Sequence, residues 1–436
     1  MYKFEFLAVF IYFSLLLSIG FFSFRKKISA SDFLIGSRSM SPLLTALAAH
    51  ASDMSSWLFM GYPALILTQG LFGAWAALGL ILCMYLNWCW IAPKIRIATE
   101  KFNTITFSSF FESRLEDKTG LIRIFSAAVL IFFYTTYLSA GLTGLGRLLE
   151  TLFDINYTLG ISLGLLIVVP YVFSGGYLTL AKIDLFQGLF LLCVVVFVPL
   201  YLIPQLGGTQ TVFASLSKNH LSSTLFPDFS SHTLLSILSM SFGWGLGYFG
   251  QPHIVTKFMG IKKVTDINFS KWIGMSWMVI SLSAATLVGI VGAAFFQGNL
   301  QNLELVFIEM VKQSFHPFLI GVILCAILAS TINAMSSLIL VLSSSIAEDF
   351  YKKLFHPNAS SKNLLFVSRL GVLFSSIAAF IIAFGNTNSV YNLVLYSWSG
   401  IGSSFAPLVL LSLYSKTINK YGAYAGILSG ALVSGI

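Results

Sequence analysis

The chain reads as a succession of apolar runs, each close to the ~20 residues a helix needs to cross a bilayer, separated by short polar segments. The runs fall at 4–24, 42–68, 71–92, 121–149, 157–176, 184–204, 232–256, 272–296, 316–347, 364–384 and 389–413. Another begins near Tyr421 and stops at Ile436, shorter than a span. This pattern predicts an all-α polytopic membrane protein. A second periodicity lies between two runs, where Leu303, Val306, Phe307, Met310 and Val311 recur at helical spacing. It predicts an amphipathic helix lying on one membrane face. The segment 205–231, with Gly207, Gly208 and Pro227, reads as a linker that bisects the chain.

Composition sharpens the class. Apolar residues make up 57% and charged residues 9%, against about 25% charged in soluble domains. A net charge of +9 suits nucleic acid in the abstract, but its placement argues for topology instead. With the N-terminus outside, all of the 25 basic residues fall in inside loops except Lys3, Arg147, Lys218 and Lys312. A bias of this kind sets orientation. The run 4–24 lacks a basic leader and an A-x-A site and is followed by Arg25, Lys26 and Lys27, so it reads as a spanning helix, not a signal peptide. Cys83, Cys89, Cys193 and Cys325 sit inside apolar runs at no metal-ligand spacing and read as small buried residues.

The layout repeats. Five runs between 42 and 204 start from the inside, and five between 232 and 413 start from the outside, which is an inverted repeat. The expected organisation is an N-terminal helix and loop (1–41), a first repeat (42–204), the linker (205–231), a second repeat (232–413) and an incomplete further helix (414–436).

Each repeat opens on an interrupted run. The first holds His50-Ala51-Ser52-Asp53-Met54-Ser55-Ser56-Trp57. A carboxylate at membrane depth costs about 3 kcal/mol even on insertion scales, so its default reading is functional. The second holds Gly243, Gly245, Gly247, Gly250 and Pro252 within ten residues, and proline removes a backbone bond and clashes one turn earlier. Glycine for close helix packing accounts for one such stretch. Two at equivalent places, one with an aspartate, point to a transporter's binding site. Unwound backbone frees carbonyls for a cation, and half-helix N-termini favour an anionic group.

The chemistry follows from the residue types. Ala51 to Ser56 offer carbonyls, three hydroxyls and one carboxylate, oxygen ligands that suit a hard cation such as sodium. The run 316–347 is a second oxygen-rich helix, with Ser330, Thr331, Asn333, Ser336 and Ser337; any single hydroxyl there equally suits an interhelical contact. Trp244 and Tyr248 lie one turn apart, as pocket wall or as bundle packing. Asp184 is expected at a helix start on the inner side, where an acid also stabilises a first turn. No H-E-x-x-H, G-x-S-x-G or Walker loop is present, so an enzyme is not expected, nor a cofactor beyond a carried ion.

At these motifs the sequence resembles the sodium:solute symporter family, in its bacterial sodium/proline branch. Ser31 to Ser39 resembles that branch's D-Y-x-L-G-G-R-S loop, Ala51-Ser52-Asp53-Met54-Ser55 its A-S-D-M-S stretch, and Gly243 to His253 its G-W-G-L-G-Y-F-G-Q-P-H signature. Ala326 to Ala329 and Ser345 to Tyr351 frame the helix between them in like manner. The resemblance implies a LeuT-like five-plus-five inverted-repeat helix bundle with an extra N-terminal helix. It implies alternating access in a bacterial cytoplasmic (inner) membrane, with L-proline and sodium as partners besides the bilayer, and neither nucleic acid nor an obligatory protein partner. Sodium is placed at Ala51, Asp53, Met54, Ser55, Ser330 and Asn333. Proline is placed near Ser55, Tyr137, Trp244, Tyr248 and Pro252, and Arg38 and Asp184 act in coupling or as an inner gate. The sequence departs from the branch at Asn333 and Ala334, where it has Ser-Thr hydroxyls, and at Ser37 and Ser56, where it has glycines. The branch also continues about two helices past Ile436. The alternative expectations are a sodium- or proton-coupled symporter of another small solute, such as pantothenate or a sugar, and a membrane sensor that binds solute without transport.

Overall fold

A computed structural model describes residues 3–23, 30–385 and 389–435. The basic stretch Arg25-Lys26-Lys27 lies outside the described residues. Helix α1 (Lys3–Ser23) is followed by the short α2 (Ala30–Ile35). The first interrupted element is α3 (Pro42–Ala51) and α4 (Gly61–Gln69). Then come α5 (Leu71–Lys101), the short α6 (Phe107–Arg114) and α7 (Leu121–Phe153). A continuous helical stretch, Tyr157–Gln205, is divided at Gly176 (φ 68, ψ 172) into α8 (157–175) and α9 (176–205). Only glycine enters that conformation without strain. After α10 (Thr209–Lys218) the second interrupted element is α11 (Ser231–Gly245) and α12 (Pro252–Met259). The chain continues as α13 (Val264–Phe296), α14 (Val306–Ser314), α15 (Pro317–Phe355), α16 (Ser361–Phe384), α17 (Val390–Tyr414) and α18 (Lys420–Gly435).

Seven of the described helices are long and apolar enough to cross a membrane. Their outward faces carry exposed Phe and Leu, such as Phe132, Leu200 and Phe374, so lipid covers what water would reject. The spanning elements match the apolar runs, with α5 and α15 continuing past them into polar residues. Two expectations need correction. The run expected to begin at 184 begins at Gly176, because the break falls at the positive-φ glycine; Asp184 therefore lies about two turns inside α9, not at its start. The linker 205–231 contains the helix α10, whose Val212 and Leu216 are buried against α13. The amphipathic segment near 303–311 is α14, with Val306, Phe307, Met310 and Val311 fully buried.

The two ends of the bundle differ in chemistry. At the basic end, arginines donate to carbonyls where helices finish. Arg38 Nη2 reaches Thr99 O and Thr104 O, both at 2.9 Å. Arg96 Nε reaches Ile261 O at 2.7 Å, and Arg114 Nε reaches Ser412 O at 2.7 Å. Arg123 Nε pairs with Asp349 at 2.7 Å. These guanidinium groups satisfy carbonyls that helix C-termini leave unpaired. At the opposite end backbone contacts stand beside side-chain ones such as the Arg147–Glu304 ion pair at 2.6 Å. Gly70 and Ser222 form an isolated bridge, Leu71 N donates to Ser222 O at 2.8 Å, and Trp75 Nε1 donates to Leu225 O at 2.8 Å. The segment after α10 is thereby strapped onto the turn between α4 and α5. A Cβ at Gly70 would stand 2.2 Å from Ser222 O, so the strap requires glycine there.

Candidate functional site

The first break forms because α3 stops at Ala51 and the chain restarts as a tight turn at Ser56–Leu58. Ser55 is extended (φ −79, ψ −162). Its amide donates to Asp53 O at 3.1 Å, two residues short of helical pairing, and Leu58 N donates to Ser55 O at 3.1 Å. The carbonyls of Ala51 and Met54 therefore lose the amides a continuous helix would bring them. The second break is the tight turn Leu246–Gly250, followed by extended Gln251 (ψ 107). Pro252 stands at the first turn of α12, where its missing N–H costs nothing.

The two breaks meet. The Tyr248 hydroxyl donates to Asp53 Oδ2, joining residues 195 positions apart. Asp53, Trp57, Leu80, Tyr137, Trp244, Tyr248, Val394 and Trp398 line one small cavity. Trp57 packs on Trp244 at a tilt of 36° with centroids 5.4 Å apart, and Tyr391 packs on Trp244 at 5.6 Å. The lining side chains are all buried, so the cavity lies inside the bundle. Its walls are aromatic, its one charge is a carboxylate, and no cationic side chain lines it.

The expected site residues divide into three places. Asp53, Tyr137, Trp244 and Tyr248 share the cavity, with Ser55 beside Tyr137. Ser55 Oγ accepts from Trp57 N at 3.3 Å and so closes the first turn, while Pro252 sets the start of α12. Ala51 and Met54 supply the unpaired carbonyls. On α15, which packs against α3 and the 56–58 turn, Ser330 Oγ is turned back to Ile327 O at 3.0 Å. Asn333 is wholly buried with both amide atoms unpartnered, and Ser337 Oγ, one turn on, is also unpartnered. Buried amides are nearly always paired, so Asn333 marks a position suited to a polar occupant. Arg38 and Asp184 lie at the basic end. Asp184 Oδ2 accepts from Lys257 Nζ at 3.3 Å, both side chains buried, joining α9 to α12.

His50, in the same stretch as Asp53, has a packing role. Trp88 Nε1 donates to its Nε2 at 3.0 Å, and a Cβ on Gly274 would lie 2.4 Å from its ring. Leu80, Val394 and Trp398 were not singled out from the sequence, nor was Asn87, whose Nδ2 donates to Tyr248 O at 3.0 Å. The available signals were Asn87 as a lone amide in an apolar run and Trp398 set among Ser397, Ser399, Gly400 and Gly402, a small-residue stretch that allows close helix approach.

An all-helical bundle whose two interrupted helices meet at a buried cavity holding one carboxylate defines a multi-pass membrane transporter of the inverted-repeat class. The chain belongs to the sodium:solute symporter family, whose model matches residues 33–430; its members are transporters, not enzymes. It is 40% identical over 420 residues to the high-affinity proline transporter PutP of Bacillus subtilis (strain 168), covering 95% of this chain and 88% of that one. It is also 40% identical over 436 residues to sodium/proline symporter 2 of Staphylococcus saprophyticus, covering 98% and 84%. Among solved structures, a Na+-coupled sialic acid symporter in a substrate-bound outward-open state matches with TM-score 0.80 at 18% identity over 99% of this chain and 98% of that one. MhsT in complex with L-phenylalanine matches with TM-score 0.60 at 12% identity over 91% and 96%. The fold is the LeuT-like five-plus-five inverted-repeat bundle with an additional N-terminal helix.

Proposed function

We propose that this protein is a secondary active transporter that carries L-proline into the cell together with sodium by alternating access. The observation that carries the reading is the junction of the two helix breaks at Asp53 and Tyr248, inside an aromatic-walled cavity. A small, mainly apolar zwitterion suits it. Its ring packs against Trp57, Trp244 and Trp398, its ammonium is drawn to the carboxylate and the π faces, and its carboxylate is drawn to the positive ends of α4 and α12. The relatives named as proline transporters support this choice over pantothenate or a sugar. Sodium takes the carbonyls of Ala51 and Met54, with Asn333 on α15 completing the shell and Asp53 and Ser55 adjoining it. Inward movement of one such charge gains about 2.3 kcal/mol per 100 mV. Arg38 and Asp184 act at the inner side. Arg38 holds the loop after α5, and the Asp184–Lys257 pair closes α12 against α9. In this reading the basic end lies in the cytoplasm and the N-terminus outside.

The test is radiolabelled proline uptake into proteoliposomes under an inward sodium gradient, a choline control and a proton gradient. Uptake is expected with sodium alone. Asp53→Cys is expected to lose nearly all of it while still inserting in the membrane. Competition by pantothenate or glucose would reassign the solute, and binding without counterflow would indicate a sensor.

A further inference from the structure

The unwound turn that carries Tyr248 is held from outside its own helix, by one residue at both ends. Trp398 of α17 donates from its indole Nε1 to Trp244 O at 2.7 Å, where α11 leaves helical geometry. The backbone carbonyl of the same residue accepts from Gln251 Nε2 at 3.4 Å, where the turn gives way to α12. Between these two points the turn lies directly on α17. A Cβ on Gly247 would stand 2.1 Å from Trp398 Nε1, and one on Gly250 would stand 2.5 Å from Ala406 N. No side chain fits at either place, since Gly247 lies against the Trp398 ring and Gly250 against the backbone of α17.

Trp398 also faces the cavity. Its ring meets the Tyr248 ring edge-on at 5.1 Å and forms a wall beside Asp53, Trp57 and Trp244. A side chain that both brackets a turn and walls the space beneath it links the turn's shape to the solute's. A tight turn of five residues between two half-helices has poor internal hydrogen bonding, so its position depends on such external partners.

We infer that Trp398 is the positioning and size-selecting residue of the substrate pocket. Its bracket fixes Tyr248 over Asp53, and its ring sets the width available to the solute. The inference rests on the symport reading above and adds a determinant of selectivity to it.

Proline uptake into proteoliposomes tests it with Trp398→Phe, which keeps an aromatic wall and removes the N–H, and Trp398→Leu, which removes the wall. The expected result for Trp398→Phe is a rise in KM of about tenfold, the effect of one lost buried hydrogen bond, with Vmax nearly unchanged. Trp398→Leu is expected to narrow the preference for proline over its six-membered-ring homologue by about tenfold as well. Ser403→Ala, on the same helix but outside the pocket, is expected to match the unmodified protein. A role in folding alone would lower Vmax through the amount of inserted protein and leave KM and ring-size preference in place; that outcome overturns the inference. If Trp398→Phe does not insert, Gln251→Met removes the other half of the bracket and is expected to raise KM in the same way, an unchanged KM there counting against the inference. Absence of sodium-stimulated uptake in the unmodified protein overturns the symport reading instead. Tritiated-proline binding to the purified protein then still decides the role of Trp398, since an equal Kd in Trp398→Phe rejects it and a weaker one supports it.

Discussion

Asn333 is the residue on which cation affinity turns in this reading. It is fully buried on α15, and neither its amide oxygen nor its nitrogen has a protein partner. One ligand lost from a cation shell corresponds to about a tenfold weaker affinity if it contributes about 1.4 kcal/mol. Asn333→Ala is therefore expected to raise the sodium concentration for half-maximal proline uptake by about tenfold with little change in Vmax, and Ala334→Thr, which restores a hydroxyl, to lower it. A sodium titration of initial uptake rates measures both. Asp53 and His50 stand three positions apart in one polar stretch. The cost of a charge in lipid marked the stretch as a site. Only the fold separates Asp53, which meets Tyr248 across the cavity, from His50, which is locked between Trp88 and Gly274.

Between elements, the breaks were legible because their causes are local. Pro252 cannot continue a helix that runs into it, and the glycines before it and the polar residues after Ala51 disfavour one. What closes the elements on each other was not legible. Lys257 reads as one more basic residue at a helix end, yet it is buried against Asp184. The misplaced start of α9 has the same origin, since it depends on the positive φ of Gly176 and not on hydropathy. Removing one member of a buried pair strands the other charge, at a typical cost of about 3–5 kcal/mol. Asp184→Asn or Lys257→Met alone is expected to lower the melting temperature of the detergent-purified protein clearly, and the double substitution to recover most of the loss. Equal, additive losses would show that the two groups do not act as a pair.

For the molecule as a whole, the proposed orientation rests on where the basic residues lie. The loops counted as inside from the sequence gather at one end, where Arg38, Arg96, Arg114 and Arg123 cap backbone carbonyls of neighbouring elements. The same residues thus serve insertion and closure. In a background without the native cysteines, a cysteine at position 218 is expected to react with an impermeant maleimide on intact cells, and one at position 416 only after the membrane is opened. The reverse pattern would invert the topology.

The strap at Gly70 and Ser222 has a consequence for how the molecule can be divided. Gly207 and Gly208, both at positive φ, precede α10, which is seated on α13 of the second half, while the residues that follow grip the first half through Leu71 and Trp75. The covalent link at the glycines is thus duplicated by contacts on either side of it. Two polypeptides severed between 207 and 208 and produced together are expected to find each other in the membrane and recover uptake, and Gly70→Val in that severed pair, which removes the seat for Ser222, is expected to lower the recovery.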